Sequence, residues 1–124
     1  MNSNNKQLAA EFLGLVVSGK IDEAYEKYVD MSGKHHNAYY AAGFAVLRDG
    51  MKENHKQFPS KQFTIKNVLS DGDFVAVHSY VVLKAGELEI AVVHLFKFAN
   101  EKIVEMWDVG QRIPKDLPNK DGMF

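Results

Sequence analysis

His94-Leu95-Phe96-Lys97-Phe98-Ala99-Asn100-Glu101-Lys102-Ile103-Val104-Glu105-Met106-Trp107-Asp108 reads as a β-hairpin. Side chains alternate between the two faces of a strand. One face of the first arm, extended back to Leu88, therefore carries Leu88, Ile90, Val92, His94, Phe96 and Phe98, an apolar stripe holding a single imidazole. On the returning arm one alternate set is Val104, Met106, Asp108 and Gly110, again apolar with one ionisable group. The turn decides whether the two sets share a face. An odd-length loop, such as three residues with a bulge, sets His94 directly or diagonally opposite Asp108, whereas an even loop sets His94 beside Trp107. The odd loop is favoured because it gathers both apolar stripes on one side. The opposite set, Ile103, Glu105, Trp107 and Val109, is mixed.

Upstream, the strand pattern continues. Residues 74–83 are rich in β-branched and aromatic side chains. Phe63, Ile65 and Val68 suggest one strand more, with Ser70-Asp71-Gly72-Asp73 and Lys84-Ala85-Gly86 as turns. The last two strands are expected over 87–98 and 103–111. Before Pro59 the period is helical. A first helix runs to about Ser18, capped by Asn5 or Ser3, with Leu8, Phe12, Leu15 and Val16 on one face and Gly19 as its stop. A short second helix opens at Asp22, with Ile21, Tyr25, Tyr28 and Val29 at three- and four-residue intervals. Residues 30–37 are polar, contain Gly33 and read as a loop. A third helix carries Phe44, Leu47, Met51 and His55 on one stripe until Pro59 closes it. In the tail, residues 114–124, the final Met-Phe pair suits either docking or a frayed end. Three helices followed by hairpin-linked strands describe an α+β fold, helices packed on one face of an antiparallel sheet.

Composition narrows the function. The 124 residues suit one domain, 1–124, and are 46% hydrophobic and 25% charged. Fifteen basic and sixteen acidic side chains leave a net charge of -1, so there is no basic field to recommend nucleic acid or an anionic membrane as a partner. With no cysteine, disulfides, thiolate metal sites and cysteine nucleophiles are excluded. Met1-Asn2-Ser3-Asn4-Asn5-Lys6 lacks a signal-peptide layout, and no apolar run approaches the roughly 20 residues of a membrane helix. A soluble, cytoplasmic protein is the expectation. There is no Gly-rich phosphate loop and no Gly-x-Ser-x-Gly elbow.

If His94 and Asp108 meet, their chemistry is specific. Burying an ionised carboxylate is costly unless a charge or a donor supports it. Desolvation raises an aspartate pKa, and an adjacent imidazolium lowers it. Such a pair in apolar surroundings is a candidate acid/base site or, equally, a structural pair inside a core. His36, His78, His94 and Asp108 could also form a metal set. Close His-x-His or His-x-x-x-His spacings are missing, so no metal is assigned.

Three segments carry a resemblance. The first is Ala91-Val92-Val93-His94-Leu95-Phe96-Lys97-Phe98, followed by Lys102-Ile103-Val104-Glu105-Met106-Trp107-Asp108-Val109 and the end Asn119-Lys120-Asp121-Gly122-Met123-Phe124. The others are His36-Asn37 and Asp73-Phe74-Val75-Ala76-Val77-His78. Together they resemble the SnoaL-like polyketide cyclase branch of the nuclear transport factor 2-like superfamily, over nearly the whole chain. Many members have Asp where His94 stands, Pro where Ala38 stands, and Gly at the position of Glu101. The resemblance implies a cone-shaped α+β barrel, open at one end, that binds a small hydrophobic ligand and pairs as a homodimer through its sheet. It implies aldol-type cyclisation, isomerisation or dehydration without cofactor, with Asp108 and His94 as the acid/base pair. A non-catalytic ligand-binding or dimeric interaction module of the same fold is the alternative.

Within that fold the loop carrying His36 overhangs the pocket mouth, so His36 either touches ligand or is a solvated loop histidine. His35 is expected to be exposed, and His55 to lie on the surface. His78 is expected to face the pocket or, as the alternative, to be a satisfied core histidine. Tyr25, Tyr28, Tyr39, Tyr40 and Phe44 are expected along the pocket's helical half, most of them as core packing, where Tyr28 and Tyr40 could also offer a hydroxyl to a carbonyl. Phe96 and Met106 belong to the apolar stripes that face the pocket, and Trp107 belongs either to the pocket or to a dimer interface.

Overall fold

A computed structural model describes residues 4–124. Helix α1 spans Asn5–Val17 and turns Ala9, Phe12, Leu13 and Val16 inward at three- and four-residue spacing. Its cap residue is Asn4, without a side-chain cap bond, and Asn5 is already helical and buried. Ser3, the other expected cap, lies outside the described residues. Gly19, at φ 87°, ends the helix in a backbone region that glycine enters without strain. Helix α2 (Ile21–Tyr28) and helix α3 (Phe44–Gln57) complete the helical layer. No helix among the described residues is long and apolar enough to cross a membrane.

The sheet has five strands, β1 (Val29–His35), β2 (Gln62–Asp71), β3 (Phe74–Lys84), β4 (Leu88–Ala99) and β5 (Lys102–Arg112). Their order is β1-β5-β4-β3-β2, antiparallel except for the parallel pair β1–β5. Strand β1 corrects the expectation of a loop over 30–37. Its sequence shows no alternation because it is an edge strand of which only Val29 and His35 are buried. Gly33 admits the neighbouring backbone: a Cβ there would lie 2.2 Å from the Val104 carbonyl oxygen.

The inner face of the sheet carries Val75, Val77 and Ser79 from β3, Phe96 and Phe98 from β4, and Ile103 and Met106 from β5, all buried. Phe12 stands edge-on to Tyr25 and Phe96, with ring centroids 5.3 and 5.8 Å away. Each large apolar side chain buried in this way contributes roughly 1.5–3 kcal/mol. On the outer face the tail docks through Phe124, whose ring lies 5.3 Å from His78 and 5.2 Å from Tyr80.

The β4–β5 connection departs from the sequence expectation in an informative way. Ala99 faces Lys102, so the turn is the two residues Asn100 and Glu101, both at positive φ (51° and 65°). An even turn of this kind would place His94 beside Trp107. The register then shifts, Phe98 facing Ile103 and Lys97 facing Glu105, which leaves Val104 as an extra residue in β5. That bulge restores the parity. His94 faces Asp108 and Phe96 faces Met106. Ile103, fully buried, takes the inner position expected for Val104.

Candidate functional site

Past the packed core, the inner face ends in an open cleft of about 480 Å³. Ile90 and Val92 of β4 and Asp108, Gly110 and Arg112 of β5 line one side, and Asn37 and Tyr39 overhang the other. Alternation explains the β5 contribution, since residues 108, 110 and 112 project to one face. Asp108 is half-buried there. His94, its cross-strand partner, does not line the cleft. Its ring is stacked on Phe96 at 5.9 Å and lies 6.3 Å from Phe63, and its Nδ1 is buried without a hydrogen-bond partner. Burial holds the His94 pKa below the ordinary 6.5, against the opposing pull of the Asp108 charge. Burial therefore disfavours a proton on the imidazole.

Asp108 is held by Asn37, which the sequence reading quotes within the His36-Asn37 segment but to which it gives no role of its own. Asn37 Nδ2 donates to Asp108 Oδ2 at 2.8 Å. Among the described residues Oδ1 accepts no bond. Asn37 is itself fixed from two sides. Its Oδ1 accepts from the Tyr39 N–H at 2.8 Å, and its N–H donates to His35 Nδ1 at 3.1 Å. His35 Nε2–H donates in turn to the Ala41 carbonyl at 2.9 Å. One nitrogen accepting and the other donating defines a neutral imidazole. His35 is thus buried, 7% exposed, where exposure was expected. The available signal was β1: as a strand ending at residue 35, it points His35 inward and His36 outward.

His36 accordingly leaves the pocket. Its Nε2 donates to Glu105 Oε2 at 2.6 Å, and its ring stacks on Trp107 at 5.1 Å, with Trp107 6.2 Å from Phe74. Residues 105 and 107 are on the opposite face from Asp108, so neither His36 nor Trp107 reaches the cleft. His78 is also on the outer face. Val75, Val77 and Ser79 hold the inner positions of β3, and His78 Nδ1 accepts from Asn67 Nδ2 at 3.0 Å. The four groups considered as metal ligands are thereby divided between two faces. Among the described residues no group of three His, Cys, Asp or Glu is placed to hold an ion.

The helical residues pack the core more than they line the cleft. Tyr28 donates its hydroxyl to Glu11 Oε1 at 2.7 Å and is committed to α1. Tyr40 lies across Gly50, where a Cβ would meet its ring at 2.3 Å. Phe44, Phe96 and Met106 are buried in the core. Tyr25 is buried too, and burial, then the Asp108 charge, pushes its hydroxyl pKa up. His55 is half-buried against Gly19 with its Nδ1 unpartnered, a correction to the expected surface position.

The SnoaL-like domain family matches residues 9–106. No curated protein matches the chain. Among solved structures, AclR of Streptomyces galilaeus is similar at TM-score 0.75 and 20% identity, covering 90% of this chain and 91% of its own. A SnoaL-like polyketide cyclase from Agrobacterium tumefaciens gives 0.70 and 16%, with 86% and 91% covered. A nuclear transport factor 2-like protein from Cytophaga hutchinsonii gives 0.69 and 13%, with 86% and 89% covered. At such identities these likenesses establish the fold.

Proposed function

We propose that this chain, which belongs to the SnoaL-like domain family, is a cofactor-independent acid/base enzyme that removes a proton next to the carbonyl of a small hydrophobic compound. The observation that carries the reading is Asp108. It is a carboxylate on the floor of a largely apolar cleft, held through Oδ2 by Asn37 and with Oδ1 free to act as base. His94 faces it across the two strands. Kept neutral by burial, the imidazole does not neutralise the carboxylate at working pH. Aldol-type cyclisation, isomerisation and dehydration all begin with this abstraction, and the cleft suits a ligand that is mostly apolar.

A homodimer through the outer sheet face is part of the same reading. Phe74, Val93 and Val109 leave apolar surface there, 38%, 38% and 71% exposed. So is a cytoplasmic location, which the absence of cysteine fits.

Solvent deuterium uptake beside the carbonyl of 2-tetralone and 2-indanone, followed by mass spectrometry, tests the chemistry. Exchange accelerated by the protein should fall by about 10²–10⁴ in Asp108→Asn. Equal exchange in that variant overturns the role of Asp108. The runner-up, a carrier that binds without turnover, draws on the unpartnered Nδ1 of His94, a geometry in which that nitrogen passes no proton to the carboxylate. Recovery of unaltered ligand after incubation favours it.

A further inference from the structure

The cleft has a second polar end that the chemistry at Asp108 does not use. Asp108, Gly110 and Arg112 follow one another on the inner face of β5, and all three line the cleft. Four residues of extended strand separate the carboxylate position from the guanidinium position by about 13 Å. The floor between them is apolar, built by Leu88, Ile90 and Val92 of the adjacent strand. Gly110 keeps it low: a Cβ there would press to 3.3 Å from Ile90 Cγ2. A narrow body can lie flat along this path.

Arg112 is tethered but not neutralised. Its Nη2 donates to the Glu87 carbonyl oxygen at 2.8 Å, which holds the side chain at the rim. Among the described residues no carboxylate pairs with it. The two acids near it on the β3–β4 side are engaged elsewhere. Glu87 pairs with Lys84 at 3.1 Å, and Glu89 accepts from the Tyr80 hydroxyl and from the Gly86 N–H. A guanidinium presents five N–H donors in a planar fork that matches a carboxylate. Among the described residues most of this fork has no partner.

We propose that the cleft takes a monoanionic ligand, its carboxylate held by Arg112 at the rim and its apolar body laid along Ile90 and Val92 with the reacting end at Asp108. This rests on reading the Asp108 cleft as the reactive site and adds the substrate class. The two charges impose the direction. A carboxylate placed beside Asp108 is repelled, and one placed beside Arg112 is attracted, so only one orientation of a monoanion is favourable. An ester or an unsubstituted hydrocarbon has no such preference.

The test compares 4-phenylbutanoate with its methyl ester, titrated at pH 7 and low salt while backbone amide shifts are followed by NMR. In the wild type the acid should bind about tenfold more tightly than the ester, as one charge-assisted contact allows, with shifts at Gly110 and Asp108. Arg112→Gln should abolish that preference, with the dispersion of its amide spectrum showing that the variant is folded. Asp108→Asn should tighten the acid and not the ester, because the repulsion is gone. Equal binding of acid and ester to the wild type, binding of neither, or an acid preference that survives Arg112→Gln overturns the proposal. The outcome is independent of ketone exchange: loss of exchange chemistry with the acid preference intact removes the catalytic reading alone, and the reverse removes the anion end alone.

Discussion

His94 and Asp108 face each other in register across β4 and β5, although the turn joining those strands has only two residues. The relationship depends on Val104. Without that extra residue every side chain from Glu105 onward would change face, sending Asp108 to the outer surface and Trp107 to the inner one. A single bulged residue thus determines which chemistry the cleft receives. Bulges recur next to active sites because they re-aim a side chain without rebuilding the sheet.

The buried imidazole should make folding stability sensitive to acid. His94 has its pKa lowered by burial from the ordinary 6.5. Between those two values the unfolded chain binds a proton that the folded chain does not, so stability is present in full above about pH 6.5 and declines as pH falls below it. His94→Leu removes both the titration and the unpaired Nδ1. Urea unfolding should find the variant within about 1 kcal/mol of wild type at pH 7, with less loss of stability between pH 7 and pH 5. A variant as acid-sensitive as the wild type would assign the effect to another group.

Asn37 should act on rate more than on affinity. It touches Asp108 and belongs to a loop pinned by His35, so its loss frees the carboxylate while the apolar floor remains. For ketone exchange, Asn37→Ala should lower kcat by roughly ten- to a hundredfold, the scale of a misplaced reacting group, with a smaller change in KM. His35→Phe should give the same direction, because it removes the acceptor for the Asn37 N–H. A change confined to KM in both variants would make the loop a binding element only.

The hairpin turn should be open to improvement. Glu101 holds φ 65°, a left-handed conformation that disfavours a side chain by roughly 1–2 kcal/mol. Glycine removes that strain, and the greater freedom of its unfolded chain offsets part of the gain. Glu101→Gly should therefore stabilise by about 0.5–1 kcal/mol, read as a higher thermal midpoint with ligand binding unchanged. Asn100, at φ 51°, is already among the residues that tolerate this region.

Much of the fold was legible because periodicity is a local property. The α1 stripe of Phe12 and Val16, the break at Gly19 and the stop near Pro59 follow from spacing alone, as do the alternations of β3, β4 and β5. β1 was illegible because an edge strand with most of its side chains in solvent has the composition of a loop. The outward facing of His78 is hidden in the sequence for a related reason. Its neighbours Phe74 and Tyr80 look like core residues, yet they cover the outer face, where Phe124 returns to pack on Tyr80.

By itself the sequence determined the α+β class, the succession of the last four strands, and the presence of one imidazole and one carboxyl in two apolar stripes. All of these rest on neighbours within a few positions. Only the tertiary structure decided that Asp108 looks inward, that Asn37 and not His36 holds it, and that Arg112 closes the far end of the same cleft. Facing is a matter of parity between strands, and one bulged residue at Val104 or one unrecognised edge strand reverses it without leaving a mark in the local pattern.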